Sequence, residues 1–204
     1  MINASILERR FPGRRAQLKR DILLQALQCF NAHGVEATTI DMIRAQCDTS
    51  VGAIYHHFRN KDGLVAALFF AALEDQQQLM QNYLEQASDL REGIAALVYS
   101  YVDWVVAQPD WARFQYQAHS SMSKGPHGEE LVRRNSERGS QVAQWLAERE
   151  QSTQLQDWPA ELRASLIIGQ SENYCRSWLS GRVSTPPTAY RDILAEAAWR
   201  SVSN

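Results

Sequence analysis

Apolar residues recur along this chain of 204 residues at spacings of three and four, with no long alternating runs between them. That period predicts an all-α protein. Leu18, Ile22, Leu23, Ala26, Leu27 and Phe30 form one apolar stripe, predicting a first helix over 15–33 with Gly34 as its C-cap. Thr39 offers a hydroxyl to cap a short second helix, in which Asp41 favours the first turn and Ile40 and Ile43 point at the core. Cys47, Asp48 and Thr49 make a turn, Asp48 being a residue type that tolerates left-handed geometry. Ser50 caps a third helix to about His57, with Ile54 and Phe58 inward. Asn60 caps a long fourth helix over 61–87. Further helices are expected over 90–107, 111–122, 128–149, 159–180 and 187–202, where Pro159 and Pro187 suit first-turn positions. The stretches 120–128 and 151–157 read as flexible connections.

Composition sharpens this into two parts. The hydrophobic content of 45% suffices for a real core, and the net charge of −2 hides an asymmetry. Residues 1–61 carry nine Lys and Arg against five Asp and Glu, whereas the remainder carries twelve against eighteen. A basic head on an acidic body fits a head that meets phosphates. Three scattered cysteines, Cys29, Cys47 and Cys175, argue for reduced thiols, and no apolar run approaches the roughly 20 residues of a membrane span. With no apolar leader at the N-terminus, a cytoplasmic location is expected.

The segment 38–61 carries the chemistry. A helix that enters the major groove needs a slim outer face, capping groups near phosphate and polar neighbours that grip the backbone. In the third helix the outward positions are Val51, Gly52, Tyr55 and His56. Gly52 costs about 1 kcal/mol against alanine inside a helix, which suggests close approach to a neighbouring surface. Val51 and Ala53 suit thymine methyls. Tyr55 and His57 donate hydrogen bonds to phosphate without a full charge, Thr39 brings a hydroxyl and a helix start to phosphate, and Lys61 reaches the adjacent backbone. The basic cluster Arg9, Arg10, Arg14, Arg15 and Lys19 reads equally as an arm on DNA or as a solvated tail.

The run 18–68 resembles the DNA-binding domain of the TetR family of bacterial transcriptional regulators. The matching pieces are Ala26, Phe30 and Gly34, then Thr38-Thr39-Ile40 with Ile43, and above all the unbroken run 50–64, SVGAIYHHFRNKDGL. The family usually has Gly where Asp48 stands and Ala where Cys47 stands, and often a basic residue where Asp41 stands. The resemblance implies a three-helix helix-turn-helix domain over 1–62 and a helical effector-binding and dimerisation domain over 63–204. It implies that Thr39, Ser50, Tyr55, His57 and Lys61 hold phosphates of double-stranded operator DNA, while Val51, Gly52, Ala53 and His56 face base edges. It further implies an effector pocket, for which the aromatic-rich later helices nominate Tyr101, Trp104, Phe114, Met122 and Trp178, and a homodimer through the last two helices. The expected protein is a ligand-responsive repressor on a palindromic operator.

Other chemistries lack support in the sequence. His56 and His57 are adjacent on a helix and point about 100° apart, so they are not expected to chelate a metal together. There is no Ser-His-Asp arrangement, Gly-rich phosphate loop or cysteine pair at metal spacing, so neither a catalytic residue nor a cofactor is expected. The competing class is a helical small-molecule-binding protein or enzyme whose N-terminal helices merely look like a reader.

Overall fold

The computed structural model describes residues 4–149 and 158–203, and every regular element among them is helical. The elements are α1 (Ser5–Arg10), α2 (Gln17–His33), α3 (Ile40–Ala45), α4 (Val51–Phe58), α5 (Lys61–Leu84), α6 (Leu90–Ala107), α7 (Pro109–Lys124), α8 (Gly128–Ala147), α9 (Ala160–Leu179) and α10 (Arg191–Val202), with single 3₁₀ turns before α2 and α10. The chain divides into two compact units. One comprises residues 1–75 with 108–132; the other comprises 76–107 with 133–204.

The caps of the first unit follow the local chemistry read from the sequence. The Gly34 N–H closes α2 on the Phe30 carbonyl at 2.8 Å, and its φ of 85° is free of strain only for glycine. Thr39 Oγ1 accepts from the Met42 N–H at 3.2 Å and Ser50 Oγ from the Ala53 N–H at 3.1 Å, each satisfying an orphan donor of its helix. Ile22, Leu23, Ala26, Leu27 and Phe30 of α2 are fully buried, joined by Ile43, Ile54 and Leu64. Phe30 stacks on Phe114 of α7 at 5.6 Å between centroids. Asn31 Nδ2 donates to the Asp110 carbonyl at 2.9 Å. Phe114 is therefore a packing residue of this core.

The fold corrects several of these expectations. Leu18 leaves the apolar stripe and is 39% exposed, because it sits on the solvent side of α2's first turn. Residues 5–10 form a helix where the sequence reads as a tail or arm, since Ile6 and Leu7 bury against the unit. Arg9 pairs with Asp75, and Arg10 pairs with Glu74 at 2.8 Å. Residues 120–124 continue α7 and are not loop. The expected connection 151–157 lies outside the described residues.

In the second unit α6, α9 and α10 pack on one another. Ile94, Val98, Val102, Trp104, Cys175 and Ala198 make much of that core. Gly93 of α6 is covered by the ring of Trp145 from α8, so that a β-carbon there would fall inside the indole. Asp103 accepts from Tyr83 at 2.7 Å and pairs with Arg191 at 2.6 Å, tying α5, α6 and α10 at one point.

Candidate nucleic-acid interface

α3 and α4 form the helix-turn-helix, and the turn between them closes without left-handed residues. The Gln46 N–H reaches the Ile43 carbonyl at 3.0 Å and the Cys47 N–H the Arg44 carbonyl at 3.0 Å. Asp48 thus does not take the left-handed geometry expected of it. Among the described residues the non-glycine with positive φ is Arg59. It sits at φ 63°, ψ −44°, and the Asn60 N–H bonds the Phe58 carbonyl across it at 2.7 Å. That is a γ-turn of the strained, positive-φ kind. It stops α4 abruptly and lets Asn60 Oδ1 accept from the Gly63 N–H at 2.8 Å, capping α5 as expected. Arg59→Gly therefore raises stability by about 1 kcal/mol, and the melting temperature by roughly 2–4 °C, because glycine relieves the φ penalty. A thermal melt that leaves the midpoint unchanged or lowers it contradicts that geometry.

α4 is held by Ile54 and Phe58, both buried, and this anchoring fixes what faces out. Gly52, Tyr55 and His56 are exposed, Tyr55 by 48%, while Val51, Ala53 and His57 are partly so. The hydroxyls of Thr39 and Ser50 each accept from a backbone N–H and keep their own hydrogens for an outside acceptor; both residues are exposed. At Gly52 an added β-carbon meets only Ser50 Oγ at 3.7 Å, so nothing inside the protein calls for a glycine there. The His57 imidazole has its pKa lowered, first by burial and then by His56 and Lys19, so at neutral pH it donates as an uncharged ring.

Lys61 departs from its expected role. Its ammonium donates to the carbonyls of Val35 at 3.0 Å, Glu36 at 3.0 Å and Thr38 at 3.1 Å, which uses every hydrogen it has. It staples the loop that sets the start of α3. Thr38, buried to 1% exposure, holds the same loop through its hydroxyl, which donates to the Gly34 carbonyl at 2.7 Å. Glu36 in the same loop accepts from Ser121 Oγ of α7 at 3.0 Å. Arg44, exposed in the last turn of α3, is a cation that the sequence pattern does not single out. Its only signal there is a basic side chain inside the helix-turn-helix.

The remaining nominated residues fall in different places. Phe114 and Met122 belong to the first unit, buried to 0% and 2% exposure; Tyr101, Trp104 and Trp178 belong to the second, Trp104 buried and the others half-buried. On α9 and α10, Ser165, Leu166, Gly169, Gln170, Tyr174 and Leu194 line a shallow open groove, with Leu162 and Ile193 exposed nearby. The three thiols are protonated at neutral pH: burial pushes Cys29 and Cys47 up and Cys175 to about 12. No helix among the described residues is long and apolar enough to cross a membrane.

Comparison with known proteins bears on the same segment. The family described as "Bacterial regulatory proteins, tetR family" matches residues 22–68. A helix-turn-helix transcriptional repressor of Mycobacterium tuberculosis, Rv1474c, is 32% identical over 104 residues, 48% of this chain and 51% of that protein. The repressor AcnR of Corynebacterium diphtheriae is 40% identical over 50 residues, 24% of this chain and 26% of that one. The chain spans about half the length or less of these curated relatives. Among solved structures, a TetR family regulator of Marinobacter aquaeolei VT8 superposes with a TM-score of 0.75 at 19% identity, covering 92% of this chain and 97% of that one. FadR of Bacillus subtilis, solved in complex with stearoyl-CoA, gives 0.71 at 12% identity, covering 90% and 99%. At these identities the structural likeness establishes the fold.

Proposed function

We propose, since the chain belongs to the tetR family of bacterial regulatory proteins, that it is a ligand-responsive transcriptional repressor that binds a palindromic operator as a homodimer in the cytoplasm. Gly52 is the observation that carries the reading. A glycine sits on the exposed face of a helix whose neighbours cost it nothing and gain nothing from its missing side chain. Close approach of an outside surface accounts for it, and a groove of double-stranded DNA is the surface that the surrounding hydroxyls, phenol and uncharged imidazole suit.

In this reading Val51, Gly52, Ala53 and His56 face base edges. Thr39, Ser50, Tyr55 and His57 donate to phosphates. Lys61 positions the loop before α3 and adds its charge at longer range. The dimer forms through α9 and α10, whose outward Leu162, Leu166, Ile193 and Leu194 leave apolar surface for a second copy. Gly169 supports this, because a β-carbon there meets only Ser165 Oγ at 3.7 Å and the helix can be approached closely. Two-fold symmetry then sets the half-sites about 34–36 Å apart or a multiple of that. The effector binds in the second unit, where Tyr101, Trp104 and Trp178 lie, and shifts the dimer toward a form that releases DNA.

Fluorescence polarisation with the DNA upstream of the protein's own gene tests this. Binding is expected to be sequence-selective and to weaken steeply with salt. Val51→Arg and Tyr55→Ala each reduce selective affinity by about tenfold or more while circular dichroism stays unchanged. Equal affinity for random DNA, or two variants that bind like the parent, overturns the proposal.

A further inference from the structure

Arginines of the second unit are mostly paired with acids. Arg91, Arg133, Arg149, Arg176, Arg191 and Arg200 each lie within 4.0 Å of a carboxylate. Among the described residues Arg138, on α8, has no carboxylate within that distance, and neither does Arg182, whose guanidinium bonds Ser177 Oγ. The hydrogen bond of Arg138 goes to a neutral group, the Gln76 amide oxygen of α5, at a long 3.3 Å. Glu137, its neighbour on α8, is engaged on Arg133, and Asp103 of α6 on Arg191 and Tyr83. The phenol of Tyr101 on α6 acts electrostatically on Arg138. Arg138 keeps some accessible surface, yet its charged end lies deep among protein atoms, and loss of hydration pulls its pKa below the usual guanidinium value.

Further amides lie on the same two helices, α5 and α8. Gln141, three residues on from Arg138 along α8, accepts from Gln77 Nε2 at 2.9 Å and Gln81 Nε2 at 3.2 Å. Trp145, two turns on from Arg138, lies on the same side of α8 and packs on Gly93. A cation removed from water without a counter-charge costs free energy that a folded protein normally offsets by pairing it. Here an amide makes up only a little of that cost. A guanidinium presents a planar fork of N–H donors that matches an oxyanion.

We propose that Arg138 is the anchor of an oxyanion site in the second unit, and that the effector is a small organic acid whose carboxylate or phosphate sits on the guanidinium, with Gln76 and Tyr101 beside it. Neutral and cationic compounds are excluded from this role. The inference rests on the regulator reading only in naming the anion an effector; the binding site stands on the unit's own geometry.

The test uses the full chain and calorimetric melting with inorganic phosphate, benzoate, 1-naphthoate and octanoate, each organic acid set against its amide. At least one acid raises Tm by about 5 °C or more at a hundredfold excess over its Kd, and its amide does not. Arg138→Met weakens that acid tenfold or more, and Arg138→Lys restores part of the loss. Without ligand, Arg138→Met melts at or above the parent, because an uncompensated charge is gone. A ligand-free Arg138→Met that melts several degrees lower, or acids that shift Tm no more than their amides, overturns the proposal. A shift with phosphate alone overturns the organic-acid assignment. Operator binding by the parent, measured separately without ligand, decides the regulator reading independently of these melts.

Discussion

Gly63→Ala lowers the melting temperature by roughly 6–12 °C and removes operator binding with it. Gly63 is the third residue of α5, and its N–H is held by the Asn60 cap at 2.8 Å. A β-carbon there would drive into the Phe58 carbonyl oxygen and come within 3.1 Å of the carbonyl carbon. Those atoms are backbone at the end of α4, already engaged in the γ-turn across Arg59, and they have nowhere to go. Overpacking of this kind costs about 3 kcal/mol or more, and each 1 kcal/mol moves Tm by about 2–4 °C in a chain of this size. What relaxation does occur must tilt α4, so DNA affinity falls further than the stability loss alone requires. Differential scanning calorimetry with polarisation measures both. A variant within 2 °C of the parent would show that the close approach of α4 and α5 is not obligatory.

Gly52→Glu has the opposite profile: the protein becomes no less stable while operator affinity drops about hundredfold or more. Gly52 is the second residue of α4, exposed, and a β-carbon there makes only an ordinary contact with Ser50 Oγ at 3.7 Å. Replacing a helical glycine is worth about 0.5 kcal/mol, and a carboxylate in the first turn gains a few tenths more from the helix dipole. Inside a DNA groove the same carboxylate meets phosphates and blocks backbone approach, at a cost of several kcal/mol. Gly52→Ala goes the same way with a smaller loss of affinity. Parent-like operator binding by Gly52→Glu would sink the groove assignment for this face. Together the two glycines separate the internal from the external use of a missing side chain, and only the structure tells them apart, since both stand in helices and read alike in sequence.

What was legible in the sequence was local. Thr39, Ser50 and Asn60 cap the helices they precede, and Gly34 ends the one it follows, because caps depend on residues within three or four positions. The buried stripe from Ile22 to Phe30 follows from helical periodicity for the same reason. What escaped was long-range. α1 has two apolar side chains and too short a pattern to announce itself, and it is held by Asp75 and Glu74, far along the chain. The strained turn fell on Arg59 and not Asp48, because the demand comes from where α5 must start, not from the intrinsic preference of either residue.

The amino-acid order alone determined the longer helices, the caps of α3, α4 and α5, and the identity of the outward groups on α4, because 3.6-residue periodicity and capping chemistry act between neighbours. Only the folded arrangement decided how charges were assigned. Lys61 went to three carbonyls of a loop, Arg9 and Arg10 to distant acids, and Arg138 to the amide of Gln76. A charge's role is set by what surrounds it after folding, through desolvation and the donors within reach, and those surroundings are assembled from residues that the linear order keeps apart.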